Sequence, residues 1–142
     1  MSHPSEERRA RIAALGYDYA AQPKTELSRC NLCGGTSLVV LTHTDRYGYA
    51  AEAHACRGCG LVFLNPQLTP EAYGRFYDGI YRPLVSAFHG RLIDATTIQD
   101  EQRTYAAERA AFLRPFVEGR GYRTMLDIGG STGVVAHHFA QA

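Results

Sequence analysis

Between Ser37 and Pro66 the apolar positions are largely β-branched or aromatic and come in short runs separated by turn residues. Ser37-Leu38-Val39-Val40-Leu41-Thr42 predicts a strand, Asp45-Arg46-Tyr47-Gly48 a turn, and Tyr49 to Ala55 the returning strand of a hairpin. Leu61-Val62-Phe63-Leu64-Asn65-Pro66 predicts a third strand, stopped by a proline that has no N–H to give a ladder. The spacing then changes to that of helices. Thr69 is a good N-cap, Pro70 suits the first helical position and Glu71 favours the positive end of the dipole. Leu68 and Tyr73 occupy the two positions of a hydrophobic staple, and the helix is expected to reach about Asp78 and stop at Gly79. Tyr73, Phe76, Tyr77, Ile80 and Tyr81 form an aromatic face, read as core packing rather than ligand lining.

From about Phe88 to Phe116 the pattern predicts one or two more helices. Tyr105, Phe112 and Phe116 lie near one stripe, with Glu101, Arg103, Glu108 and Arg109 on solvated faces. Pro115 falls near the end of that segment and Gly119-Arg120-Gly121 breaks it. A short N-terminal helix is expected around Glu6 to Leu15, capped by Ser5 and ended by Gly16. The last pattern is a short apolar run, Thr124-Met125-Leu126-Asp127-Ile128, followed directly by Gly129-Gly130-Ser131-Thr132-Gly133. It reads as a buried parallel strand feeding a nucleotide-type ligand site. Such a strand needs parallel neighbours and covering helices, and only nine residues follow Gly133, so the expectation is the front of a larger protein.

Composition changes this picture little. The 142 residues are 45% apolar and 20% charged, as in ordinary globular protein. A net charge of +1 argues against a strong electrostatic hold on nucleic acid. The polar start, Met1 to Arg9, reads as no secretory signal, and no apolar run approaches a membrane span, so the expected location is cytoplasmic.

In that compartment thiols stay reduced, and all four cysteines belong to one pattern. Cys30-Asn31-Leu32-Cys33 and Cys56-Arg57-Gly58-Cys59 stand 22 residues apart. Two residues between ligands let one tight turn present both sulfurs, and two such turns complete the tetrahedral S4 shell that zinc favours. Gly34 and Gly60 follow the pairs, letting the backbone curl so that N–H groups face the thiolates. Zinc is therefore expected ahead of two disulfides, with His43 and His54 as bystanders because the shell is already full. Such a site is structural. Four thiolates and one zinc ion would also take the net charge from +1 to −1.

For the glycine loop, spacing separates the candidates. A dinucleotide fingerprint would place glycine at Gly129, Ser131 and Val134, and a P-loop needs a Lys-Ser/Thr pair, whereas the only lysine is Lys24. The remaining pattern resembles motif I of class I S-adenosylmethionine-dependent methyltransferases. Read with Cys-x-x-Cys-Gly, the Asp45-Arg46-Tyr47-Gly48 turn, Cys56 to Pro66, Phe76-Tyr77 and Tyr81-Arg82, the chain from about Arg29 to Gly133 is similar to the methyltransferases that carry an N-terminal zinc ribbon.

The resemblance implies that the loop packs on the methionine part of the cofactor and that the strand-end acid helps hold its amino group. Asp127, Gly129 and Gly133 match position by position; Gly130 stands where a small residue is common, and Ser131 where glycine is usual. It implies an α+β protein in four parts: an N-terminal extension at 1–26, a zinc ribbon at 27–68, a helical linker at 69–121 and the incomplete Rossmann-like methyltransferase start at 122–142. No catalytic residue is assigned, the methyl acceptor is open, and the chain alone is expected to be inactive without the C-terminal half as partner. The competing reading is a stand-alone zinc-ribbon module in which Arg57 and the tyrosines contact protein or, less favoured by charge, nucleic acid.

Overall fold

A computed structural model describes residues 5–140. The first four residues of the expected N-terminal extension and the last two of the expected methyltransferase segment lie outside the described residues. The chain is of mixed α and β structure and divides into two compact units, one ending at Leu92 and the other starting at Ile93.

The first unit opens with α1 (Glu6–Ala13), whose first turn is capped by Ser5 accepting from the Arg8 amide at 3.3 Å. A two-stranded ribbon joins β1 (Lys24–Thr25) to β5 (Gln67–Leu68), bringing the start of the sulfur-bearing segment back to its end. Between them the β-branched run forms β2 (Leu38–Thr42), which pairs antiparallel with β3 (Ala53–Cys56), itself paired with β4 (Val62–Leu64). Leu38 faces Cys56 and Val40 faces His54, and the register slips between Val40 and Thr42, the mark of a bulge.

Asn65 holds the two sheets' flanks together. It is buried at 4% exposure. Its side-chain Oδ1 accepts from the Leu27 amide at 2.8 Å and its Nδ2 donates to the Leu27 carbonyl at 3.0 Å, the pairing a neighbouring strand would make. The core beside it consists of Tyr19, Ala51, Leu68 and Ala72, with Tyr17, Tyr49, Leu64, Tyr73 and Phe76 packed around them.

α2 (Pro70–Arg75) starts as its cap predicts, with the Thr69 hydroxyl accepting from the Ala72 amide at 3.3 Å. It does not stop at Gly79. A π-helical turn, Phe76–Ile80, leads straight into α3 (Tyr81–His89), and the stop comes at Gly90 in the left-handed region, φ +70°. α3 packs against α1; Ile12 of the first helix and Leu84 and Val85 of the second are buried.

The second unit holds α4 (Ala95–Val117) and α5 (Val134–Ala140), packed on each other. Asp94 caps α4, its carboxylate accepting from the Thr97 amide at 2.8 Å and the Thr97 hydroxyl at 2.9 Å. The helical stretch expected at 69–121 thus falls partly in each unit. The strand expected at 124–128 is not formed. Among the described residues no segment pairs with it, and Met125, Leu126 and Ile128 are 52%, 83% and 88% exposed. An apolar run has the propensity for a strand, but a strand exists only as one side of a hydrogen-bonded ladder.

Candidate functional site

Two backbone turns of the same design carry the cysteines. In the first, the Cys30 amide donates to the Gly35 carbonyl at 2.8 Å and the Gly34 amide to the Cys30 carbonyl at 2.9 Å. In the second, the Cys56 amide donates to the Leu61 carbonyl at 2.9 Å and the Gly60 amide to the Cys56 carbonyl at 2.9 Å. Gly34 and Gly60 sit at φ +71° and +76°, a conformation that costs a residue with a Cβ. The Arg57 amide donates to the Ser37 carbonyl at 2.9 Å and so ties the second turn to the flank of the first.

The result brings all four predicted sulfurs together, each within 4.8 Å of the others, with Cys30–Cys59 and Cys33–Cys56 at 3.6 Å. A tetrahedron with metal–sulfur bonds of about 2.3 Å has edges of about 3.8 Å, so this spacing suits a metal such as zinc. It is far longer than the disulfide S–S distance of about 2.05 Å, and the four thiols are free. The Leu32 amide points at the Cys30 sulfur from 3.4 Å. Gly35 has a role that spacing alone did not reveal: a Cβ there would stand 3.3 Å from the Cys33 sulfur and 3.5 Å from that of Cys56.

Cys30 and Cys59 titrate in opposite directions. The Cys33 amide, then that of Leu32, stabilise the Cys30 thiolate against the cost of burial and bring it down to about 7. At Cys59 the Leu61 amide favours the thiolate, but the neighbouring thiols led by Cys33, together with burial, outweigh it and push the group up to about 12. One sulfur therefore ionises early and the last resists a further negative charge beside it. A divalent cation removes that conflict.

His43 and His54 turn away from the sulfurs and toward Glu52. His43 Nδ1 lies 2.6 Å from one carboxylate oxygen and His54 Nε2 lies 3.4 Å from the other. Hydrogen bonds from His43 first and His54 second hold the Glu52 carboxyl below its ordinary value.

The glycine loop lies in the second unit. Gly129 and Gly133 have φ of +75° and +73° in the turns that lead into α5, and Ser131 shares their left-handed conformation at φ +52°. Asp127, Gly129 and Gly130 form one wall of a cleft of about 590 Å³ whose other wall is α4, with Tyr105, Arg109 and Phe112. The Asp127 carboxylate lies so close over Gly130 that a Cβ there would overlap it. Gly133 lines a separate hollow of about 520 Å³ with Arg103 and His137, and Ser131 does not line the cleft. Gln102 was unremarkable in the sequence, yet its side-chain oxygen accepts a hydrogen bond from the Thr132 hydroxyl and ties the loop to α4. No residue between α4 and the loop signals that pairing in advance.

Among the described residues no helix is long and apolar enough to cross a membrane. Comparison of the chain with known protein families, with curated proteins and with solved structures finds no match.

Proposed function

We propose that this chain is the N-terminal part of a class I S-adenosylmethionine-dependent methyltransferase, built from a structural zinc ribbon and the motif I cofactor loop. The ribbon half rests on the four-sulfur cluster. Four thiolates fill a tetrahedral shell and leave no position for water or substrate, so zinc bound by Cys30, Cys33, Cys56 and Cys59 is scaffold rather than catalyst.

The observation that carries the methyltransferase half is the cleft walled by Asp127, Gly129 and Gly130. Gly129, at positive φ, and Gly130 bring bare backbone to that cleft, and a carboxylate at its edge suits an ammonium group. S-adenosylmethionine bound there would supply an activated methyl group on sulfur. Asp127 would hold the amino acid end of the cofactor and Gly129 would leave room for it. Ser131 stands where the resemblance has glycine, and its Cβ lies outside the cleft lining.

Native mass spectrometry and calorimetry test the two halves separately. One zinc per chain is expected, lost together with local structure in Cys56→Ser. S-adenosylmethionine is expected to bind weakly to this chain and well to a protein in which 122–142 continues into a full α/β domain, with Asp127→Ala impairing it. No binding by the extended protein would end the methyltransferase reading. A stand-alone protein-binding module is then the alternative. It is favoured by the exposed apolar side chains of Leu32, Leu41 and Val62, at 70%, 57% and 54%.

A further inference from the structure

Four sulfurs gathered for a metal are also four sulfurs placed to form disulfides. Two of their contacts run across the turns: Cys30 to Cys59 and Cys33 to Cys56, each 3.6 Å. Each joins a buried sulfur of one turn to an exposed sulfur of the other, because Cys30 and Cys56 are buried whereas Cys33 and Cys59 are exposed. Closing either pair needs an approach of about 1.5 Å to reach disulfide length. Backbone hydrogen bonds set these partners opposite each other. The Arg57 amide is bonded to Ser37, Leu38 is paired with Cys56 in the sheet, and each turn closes on its own hydrogen bonds.

We propose that the cysteine centre is a peroxide-sensitive zinc-release switch in which two cross-turn disulfides, Cys30–Cys59 and Cys33–Cys56, take the place of the metal. The inference rests on the zinc reading above. An exposed thiolate, Cys33 or Cys59, attacks hydrogen peroxide: an S–O bond forms, the O–O bond breaks and hydroxide leaves as water after taking a proton. The sulfur facing it across the turn then attacks the sulfenic acid, the S–S bond forms and the second oxygen departs as water. Two peroxides oxidise the four thiolates, four protons are taken up, four waters form and Zn²⁺ is released. The two bridges are nested, spanning 29 and 23 residues, so they close the same segment that the metal closed.

The experiment treats the zinc-loaded full chain with hydrogen peroxide. Released zinc is read with a chromogenic chelator, and the alkylated, unreduced protein is digested with trypsin. Cleavage after Arg29, Arg46, Arg57 and Arg75 puts Cys30 and Cys33 on one peptide, Cys56 on a second and Cys59 on a third. The expected result is one equivalent of zinc released and all three peptides linked together, with fragmentation between Cys30 and Cys33 assigning the two bridges. In Cys59→Ser the Cys33–Cys56 bridge is still expected. If one zinc is present at the start but bridges form within the turns, as Cys30–Cys33 and Cys56–Cys59, or the thiols go on to sulfinic acids, the switch is refuted and the zinc site stands. Absence of zinc from the untreated protein would overturn the zinc reading and the switch with it.

Discussion

Replacing Asn65 with alanine should remove one of the strongest single ties in the first unit. The side chain is 4% exposed and makes two hydrogen bonds to one residue, at 2.8 Å from the Leu27 amide and 3.0 Å to the Leu27 carbonyl. Each such bond contributes about 1 kcal/mol net, and orphaning a buried partner adds to the loss. Leu27 is only half-buried, so water can recover part of the second cost. The expected destabilisation is about 2–3 kcal/mol, a large share of the roughly 5–15 kcal/mol that holds a domain together. Asn65→Asp is a sharper test. It keeps the oxygen that accepts from Leu27 N–H but sets a second oxygen against the Leu27 carbonyl, and it buries a charge. The introduced carboxyl can donate to that carbonyl only when protonated, so its folded-state pKa is raised. At about pH 7, where a four-thiolate zinc site stays loaded, the variant should be less stable than Asn65→Ala, because the buried carboxyl must either take up a proton or stay charged against the carbonyl. Urea denaturation of the zinc-loaded protein, followed by tyrosine fluorescence, is the assay. The chain has nine tyrosines and no tryptophan, and seven of the tyrosines lie at or before Leu92, so the signal reports the first unit. A change below about 0.5 kcal/mol in Asn65→Ala would refute the clasp, being the size of an ordinary surface substitution.

Two glycines near the sulfurs should behave differently: Gly60→Ala, at φ +76° with nothing within 4 Å, should cost about 1 kcal/mol of stability and leave the zinc stoichiometry unchanged. Gly35→Ala should instead weaken zinc in a chelator competition, since its Cβ would stand 3.3 Å from the Cys33 sulfur, one of the four that the proposed zinc would hold in place. Tyr19→Phe should be neutral or stabilising by up to about 1 kcal/mol in the same denaturation assay, because the buried hydroxyl has no hydrogen-bond partner among the described residues. The Thr97 amide holds the Asp94 carboxyl below its ordinary value, so the cap on α4 contributes above about pH 4 and is lost as pH falls through the lowered folded-state value. Asp94→Asn should retain the cap and flatten that acid loss in circular dichroism at 222 nm. At Ser131, φ +52°, asparagine should be tolerated and valine should cost about 1–2 kcal/mol, read by thermal unfolding of the helical second unit.

What could be read from the residues was whatever chemistry is local. Thr69 caps α2 and Ser5 caps α1 because an N-cap is decided by the four or so residues that surround it. The four cysteines were legible because Cys-x-x-Cys spacing is itself a statement about one turn and one ion. Gly79 misled for a physical reason. Glycine ends a helix by adopting positive φ, and Gly79 does not, while Gly90 does at +70°. Tyr77 and Tyr81, with ring centroids 5.1 Å apart, pack across the π turn and carry the helix through. Asn65 before proline reads as a turn, and nothing nearby points to Leu27, 38 residues earlier. The segment 124–128 shows the same limit from the other side: its propensity is local, but a strand is a property of two segments.

That last segment also constrains how the proposed methyltransferase could be completed. Met125, Leu126 and Ile128 are 52%, 83% and 88% exposed, so covering them would gain roughly 3–7 kcal/mol together, at about 1.5–3 kcal/mol for a side chain taken fully from water. Joining a separate polypeptide costs about 4–15 kcal/mol in lost freedom before any contact is counted. The three side chains alone therefore match only the low end of that cost for a partner supplied in trans. Such a partner would also have to cover the exposed pair on α4, Phe112 and Phe116, at 71% and 59%, whose rings lie 5.7 Å apart. Strands and helices continuing from the same chain escape that association cost, and the strand side chains then suffice. A complementing fragment that binds the wild-type chain but not the double variant Phe112→Ser, Phe116→Ser would mark the trans arrangement. Cofactor binding in the extended chain that survives Phe116→Ser alone, which leaves Phe112 in the cleft wall, would mark the arrangement in cis.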